Sequence, residues 1–224
     1  MTGRKSSAPL LAWKQAKPHR RLCDMRAITW IKERGAEFAE VSLGDTYLRA
    51  AGVAVSATPL SYRLDYELDC VGGFITRRLL ARTQGANWSR RLVLSRDPQG
   101  SWGIETSVEG EVDLPEPGGD PAAFAAALDC DLGECPVTNA MPVLRHGLLH
   151  GAAPRDFVMA WVSVPDLSVR PSAQRYTFVG PPAAAAGPQA GAAVIRYQSG
   201  AFSADVVFDD DGLVVDYPGL GRRA

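Results

Sequence analysis

The chain has 224 residues, of which 46% are hydrophobic and 22% are charged, a balance that is typical of a globular protein able to fill a core. Its formal net charge is −1, so the whole molecule has no electrostatic field that would attract nucleic acid or an anionic membrane. No stretch approaches the roughly 18 uncharged apolar residues that a membrane-spanning helix requires.

Residues 1–26 form a strongly basic segment in which Asp24 is the single acid. The apolar run at 8–13 is too short for an export signal and is followed at once by Lys14. We therefore expect a disordered basic tail and a cytoplasmic protein. A basic arm that contacts anionic lipid headgroups, or one that docks an acidic partner, is an alternative function for this segment.

From Ala27 onward, apolar and polar residues alternate at period 2, which predicts half-buried β-strands. In the fourth of these strands the alternation places Tyr62, Leu64, Tyr66 and Leu68 on one face. Gly52 interrupts the third strand, where we predict a bulge or bend. The strands predicted in the first half are 27–31, 37–43, 46–56, 61–68, 74–83, 88–95 and 101–113.

An irregular segment, 114–154, separates the two strand-rich halves. It begins with a run of Pro and Gly, and we predict a short helix at 121–128 with Asp120 as its N-cap. Strands are predicted again at 156–164, 173–179, 193–197, 201–208 and 213–217, with a Gly/Pro/Ala-rich loop at 180–192. A strand spacing of roughly ten residues favours a barrel or a strongly curved antiparallel sheet over a βαβ fold. Residues 27–221 are predicted to form a single domain.

The cysteines are expected to be free or buried thiols rather than a disulfide framework. Four residues approximate the spacing of a zinc finger: Cys130, Cys135, His146 and His150. Prolines and glycines fall where a ligand-bearing helix would have to run, so we predict no metal and no cofactor.

Sequence signatures of common enzymes are missing, since the chain has neither a G-x-S-x-G elbow nor a G-x-G-x-x-G loop after a strand. The alternative that stays open is a hydrolase or isomerase using Asp131, Glu134, Cys135 and His146 in one cavity.

Binding is the preferred interpretation, because a curved sheet that is too wide to fill itself encloses a cavity, and amphipathic aromatic residues suit its mouth. Arginines could meet a phosphate or carboxylate headgroup there: Arg77, Arg78, Arg82 and Arg145.

Two segments carry a resemblance to a known family. Residues 131–145 read Asp-Leu-Gly-Glu-Cys-Pro-Val-Thr-Asn-Ala-Met-Pro-Val-Leu-Arg, and residues 212–220 read Gly-Leu-Val-Val-Asp-Tyr-Pro-Gly-Leu. Together with Thr29, Trp30 and Glu37, they resemble the bacterial putative glycolipid-binding (DUF1089-type) family over about 27–221. Two positions depart from the family pattern, with Cys135 in place of the usual Ser and His146 in place of a second Arg.

This resemblance implies a curved antiparallel sheet or a split barrel of two similar halves, like lipoprotein carriers that shield an acyl chain. It also implies a non-enzymatic protein that binds a glycolipid- or fatty-acyl-like ligand, with an oligomeric state that the sequence leaves open. We predict that the ligand-binding residues are Tyr62, Tyr66, Arg77, Trp88, Asp131, Asn139, Arg145, Trp161 and Tyr217.

The central motif has two interpretations. In the first, Asp131 pairs with Arg145 beneath the sheet, and Thr138 and Asn139 cap a short helix or hold a turn. In the second, Asp131, Asn139 and Arg145 line the cavity and contact sugar hydroxyls or a phosphate, because polar groups that converge on an apolar pocket supply specificity.

Overall fold

The computed structural model describes residues 24–182 and 193–224. Within these residues the chain forms one large, curved sheet of 14 strands that does not close. Its strands in the first half are β1 (Asp24–Lys32), β2 (Gly35–Leu43), β3 (Leu48–Ser56), β4 (Tyr62–Val71), β5 (Ile75–Gln84), β6 (Trp88–Arg96) and β7 (Trp102–Gly110). Those in the second half are β8 (Asp129–Leu132), β9 (Arg155–Val162), β10 (Val169–Gly180), β11 (Ala193–Ser199), β12 (Phe202–Phe208), β13 (Val214–Tyr217) and β14 (Gly221–Arg223).

The spatial order of the strands is β7-β6-β5-β4-β3-β2-β1-β14-β13-β12-β11-β10-β9-β8. Neighbours are antiparallel throughout, except for the parallel pair β8–β9. The predicted mainly antiparallel, curved β architecture is therefore confirmed. The two halves meet where β1 pairs with β14, and from this junction the first half runs outward in chain order while the second half runs outward in reverse order.

Among the residues that the structure describes, helical structure is confined to the central connection and its surroundings. One short α-helix, α1 (Ala140–Arg145), follows a 3-10 helix at Pro136–Asn139, and two further 3-10 helices lie at Pro121–Phe124 and Leu148–His150. At the first of these, the Asp120 carboxylate accepts a hydrogen bond from the Ala122 backbone N–H (2.9 Å), as the predicted N-cap requires. The helix itself ends at Phe124 and does not reach the predicted limit of 128.

The interior between the halves is filled by side chains. The edge strand β8 of the second half packs against β5 of the first half. The sheet therefore curves around the segment that connects the two halves. Phe124, Val137 and Met141 from this connection are fully buried against the inward face of the first half. The two halves are also tied directly, because the Trp30 indole N–H donates to the backbone carbonyl of Val214 (3.0 Å).

Three details differ from the sequence predictions. Strands β8 and β14 were not predicted, since they have only four and three residues, too few to show a clear alternation. The predicted bulge at Gly52 is wrong, because β3 keeps an unbroken register on both sides of this residue. A register shift occurs instead where β4 and β5 pair, between Asp69 and Cys70.

The predicted basic tail falls largely outside the described residues, which begin at Asp24 within β1. In the part of the chain that the structure describes, no helix is long and apolar enough to cross a bilayer. Most of the predicted Gly/Pro/Ala-rich loop, residues 183–192, also lies outside the described part.

Candidate functional site

Aromatic side chains form a continuous row across β9 to β13. The ring of Tyr176 meets Phe157 and Tyr197 edge-on, at centroid distances of 5.6 and 5.4 Å. Tyr197 in turn contacts Tyr217 and Phe202, each at 6.0 Å. Antiparallel pairing produces this row, because Tyr176 lies directly opposite Tyr197 and directly opposed side chains share a face of the sheet.

One end of the row opens into a cleft of about 720 Å³, which we call the aromatic cleft. Tyr197 and Tyr217 are buried at this cleft, whereas Phe202 is 48% exposed. The guanidinium of Arg170 lies 4.5 Å from the ring centroid of Trp161, a cation–π contact. Hydroxyl groups of Ser172 and Ser199, 3.2 Å apart, add hydrogen-bonding capacity to the same surface.

A smaller cavity of about 120 Å³, the inner chamber, lies beside the aromatic cleft. The two spaces adjoin, because Glu134, Gly219 and Leu220 line both. Its other walls come from the β1–β2 hairpin, from β3 and β4, and from the segment after β8; the lining residues include Lys32, Glu33, Arg34, Ser56, Tyr62, Leu64, Cys135 and Val164.

A buried ion pair lies at the wall of the inner chamber. The Lys32 ammonium pairs with Oε2 of Glu37, with only 8% and 0% of the two side chains exposed. The Tyr66 hydroxyl donates to Oε1 of Glu37 (2.7 Å), and burial raises the Tyr66 pKa well above its ordinary value. Burial, the largest effect, lowers the pKa of Lys32, but neighbouring acidic groups, among them the Glu37 carboxylate, outweigh burial and raise this pKa above its ordinary value. Lys32 is therefore protonated at neutral pH, with the Glu37 carboxylate as its counter-charge.

Glu134 stands where the two spaces meet. Its backbone has φ = 61°, in the left-handed region that residues other than glycine rarely adopt. Oε2 of its carboxylate accepts a hydrogen bond from the Tyr62 hydroxyl (3.4 Å). A residue other than glycine keeps such a backbone conformation only when the surrounding structure holds it, and these conformations are concentrated at functional sites. The turn at Glu134 thus presents an exposed carboxylate at the entrance of the inner chamber.

A hydrogen-bond network lies under the aromatic row. Asp131 accepts from the Thr138 hydroxyl (2.9 Å) and from the Gln174 amide (2.6 Å), and burial raises its pKa above the ordinary value. The Asn139 amide donates to the Tyr176 hydroxyl (3.0 Å), which donates to the Gln174 carbonyl oxygen (3.3 Å). These contacts fix Tyr176 and, through its ring contact, the floor of the aromatic cleft.

The predicted pair between Asp131 and Arg145 is wrong. Arg145 instead makes a bidentate ion pair with Asp129, with Nη1 donating to Oδ1 at 2.8 Å. Asp129 is 1% exposed, and burial raises its pKa although Arg145 opposes the shift. Asp129 and Asp131 are two residues apart in β8 and share one face, so strand alternation cannot tell which of them meets the arginine.

The structure distributes the predicted ligand-binding residues over several places. Tyr62 lines the inner chamber, Trp161 and Tyr217 line the aromatic cleft, and Tyr66 lies behind the chamber at Glu37. Asp131 and Asn139 belong to the network beneath the cleft, and Arg145 to the pair with Asp129.

Two predicted residues lie elsewhere. Arg77 is exposed and pairs with Asp69, next to Arg78, which pairs with Glu67. Trp88 is half-buried at the start of β6, in a depression formed with Gln84 and Glu109. Neither residue lines the aromatic cleft or the inner chamber.

The residues of the enzymatic alternative do not form a catalytic unit. Burial, together with the nearby Glu37 carboxylate, raises the pKa of the Cys135 thiol well above its ordinary value, so this group is a neutral thiol. The ring of His146 contacts that of Phe157 at a centroid distance of 5.2 Å with an interplanar angle of 40°, at the other end of the aromatic row. Asp131 is engaged by Thr138 and Gln174.

The zinc-like spacing does not assemble a site either. Cys130 lies against the Thr76 hydroxyl (3.5 Å), whereas Cys135 lines the inner chamber. Across residues 24–182 and 193–224, no group of three or more His, Cys, Asp or Glu side chains is arranged to hold a metal ion.

Comparison with known proteins now identifies the family. The model of the family described as "Putative glycolipid-binding" matches residues 27–223. The chain belongs to this family. The crystal structure of a DUF1089 family protein from Pseudomonas aeruginosa superposes with a TM-score of 0.60 at 24% sequence identity, covering 97% of this chain and 100% of that one. This likeness shows the shared fold. No curated protein matches the chain.

In this member of the glycolipid-binding family, both signature segments contribute to the cleft. The segment 131–145 supplies Glu134 at the chamber entrance and the Asp131, Thr138 and Asn139 network beneath the rings. The segment 212–220 supplies Tyr217, Gly219 and Leu220 to the walls. At the two departures from the family pattern, Cys135 lines the inner chamber and His146 lies on Phe157.

Sequence reasoning missed Lys32, Glu37, Arg170 and Phe202 as site residues. Lys32 continues the buried series Ile28 and Trp30 at a spacing of two, and Glu37 begins the series Ala39, Val41 and Leu43 in the same way. A charged residue in step with an apolar face was the signal that could have found both. Arg170 and Phe202 carried no comparable signal, because their contacts depend on pairing between strands.

Proposed function

We propose that this protein binds a glycolipid- or fatty-acyl-like molecule in the aromatic cleft and does not transform it. The observation that carries the proposal is a cleft of about 720 Å³ that combines aromatic rings with a small number of polar groups. Small-molecule sites typically have volumes of about 300–1,000 Å³ and this same composition. The family description, glycolipid binding, supports the same class of ligand.

The rings offer apolar surface to an acyl chain or to the C–H face of a sugar. Trp161, Tyr197, Phe202 and Tyr217 present this surface, and the Ser172 and Ser199 hydroxyls lie within the same cleft. An amphipathic ligand matches such a surface better than a purely apolar or purely charged one, because each of its parts then meets a group of its own kind.

The support beneath the cleft also favours binding. Tyr176 is held by Asn139 and Gln174, and its ring packs edge-on against Tyr197. Side chains that are already ordered lose little conformational entropy when a ligand arrives, so a larger part of the interaction energy appears as affinity.

The state of the reactive groups supports binding without chemistry. The Cys135 thiol is neutral and buried, and the candidate base His146 is in contact with Phe157. A thiol acts as a nucleophile in its ionised form, which burial disfavours here.

The experiment is native mass spectrometry and calorimetry of the full chain with octyl glucoside and with dodecanoate, both below their micelle-forming concentrations. We expect one molecule to bind, with affinity falling at least tenfold in Trp161→Ala and Phe202→Ala. Trp88→Ala is the matched control, because Trp88 is also a half-buried tryptophan but lies outside the cleft. Equal binding by Trp161→Ala and wild type, or no binding of either amphiphile, would refute the proposal.

A further inference from the structure

The inner chamber combines a buried cation with an exposed carboxylate. Lys32 lines it with 8% of its side chain exposed, and its ammonium carries three N–H donors. Glu37 occupies one of these donors, so donor capacity is left for a ligand.

Glu134 supplies the complementary acceptor. One of its carboxylate oxygens, Oε2, accepts from the Tyr62 hydroxyl, and Oε1 accepts from no residue in the described ranges. The Tyr62 hydroxyl and the Ser56 side chain lie on the same lining. A group that both donates and accepts hydrogen bonds can therefore be satisfied in this space.

The charges on the chamber's own lining do not favour anions. Lys32 is paired with the buried Glu37, and the Glu134 carboxylate also acts on it, while the exposed Glu33 and Arg34 of the β1–β2 turn have opposite charges. Glu134 is thus a second carboxylate beside this buried cation, whereas the Arg170 guanidinium lies over Trp161 in the adjoining cleft. A phosphate or carboxylate that enters the chamber from the cleft would have to pass Glu134, and like charges repel.

From these contacts we propose that the inner chamber is the headgroup subsite of the bound amphiphile, and that it selects an uncharged, hydroxyl-bearing headgroup such as a glycosyl unit. Neighbouring hydroxyls donate to Glu134 and accept from Lys32, while the apolar part of the ligand lies along Trp161 and Tyr217 in the adjoining cleft. The inference rests on the proposed function and adds the class of headgroup and the residues that choose it.

The test compares two amphiphiles with the same alkyl chain, octyl glucoside and octyl phosphate, by calorimetry with the full chain. Wild-type protein should bind the glucoside at least tenfold more tightly. Glu134→Gln removes the negative charge and keeps the shape, so it should strengthen octyl phosphate binding severalfold and weaken the preference. Because Glu134 is exposed, this variant should fold normally. Trp88→Ala is again the control and should keep the wild-type preference.

The outcomes separate the two proposals. If both amphiphiles bind equally, or the phosphate binds better, and Trp161→Ala abolishes both, the aromatic cleft is a ligand site and the headgroup inference is wrong. A preference that persists unchanged in Glu134→Gln also overturns the inference. If neither amphiphile binds to the wild type, the proposed function fails as well.

Discussion

The ring of Tyr66 lies directly over Gly52. A Cβ atom at position 52 would stand within 2.5 Å of the Tyr66 hydroxyl oxygen, so only glycine leaves room for the ring. The side chain of Tyr66, in β4, thereby crosses the whole width of β3 and reaches Glu37 in β2. The glycine that suggested a bulge is in fact required by a close approach within an unbroken strand.

Gly52→Ala should destabilise the protein by about 2–3 kcal/mol, because the methyl group displaces Tyr66 and breaks its hydrogen bond to the buried Glu37. Urea unfolding followed by circular dichroism measures the change. Ala51→Ser, at the exposed neighbouring position, is the control and should change the free energy of unfolding by less than about 0.5 kcal/mol. Unchanged stability in Gly52→Ala would show that Tyr66 does not need this space.

Lys32→Met should cost about 3–5 kcal/mol, because it leaves the Glu37 carboxylate buried without its counter-charge. Adding Glu37→Gln to this variant removes the uncompensated charge and keeps an acceptor for Tyr66. We expect the double variant to regain at least about 1 kcal/mol relative to Lys32→Met. A double variant that is no more stable than Lys32→Met in urea unfolding would mean that the unpaired Glu37 charge is not the cause of the loss.

Three thiols should resist alkylation in the folded protein. Cys70, Cys130 and Cys135 are buried, and burial raises the pKa of Cys130 to about 12. Since the thiolate is the reactive form, iodoacetamide at pH 8 should modify these positions only after denaturation. Peptide mass spectrometry of native and unfolded samples provides the comparison. Rapid modification of Cys135 in the native sample would contradict its burial beside the inner chamber.

Asp131 should make the stability depend on pH in a defined direction. Its pKa in the folded protein is raised above the ordinary value of 3.8, so the folded state holds this proton after the unfolded chain has released it. The contribution of Asp131 to stability therefore falls as pH rises from about 3.8 through the raised pKa. Asp131→Asn removes this titration, and all other groups stay the same.

The measurement is the free energy of unfolding of wild type and Asp131→Asn between pH 4 and pH 8. The wild type should have its largest advantage over the variant near pH 4, and this advantage should shrink towards neutral pH. An advantage that grows with pH would mean that the hydrogen bonds from Thr138 and Gln174 outweigh burial.

Local alternation was sufficient to predict much of the sheet. The pattern Tyr62, Leu64, Tyr66 and Leu68 lies on the inward face as expected, since successive side chains of a strand point to opposite faces. The same rule failed for Arg77 and Arg78. Strict alternation would bury one of these consecutive residues, but Arg77 is exposed and Arg78 is half-buried. The reason is the register shift where β4 and β5 pair, which interrupts the alternation at this point.

From local patterns alone one can read most of the longer strands, their apolar faces, and the family that the central motif resembles. The three-dimensional fold was needed to see that Asp129 rather than Asp131 meets Arg145, and that Lys32, Glu134 and Tyr217 line adjoining spaces. The physical reason is the separation along the chain of the residues that interact. Side-chain alternation follows from the backbone of one strand, whereas the cleft depends on how a sheet curves to bring the β1–β2 hairpin against segments more than 100 residues away.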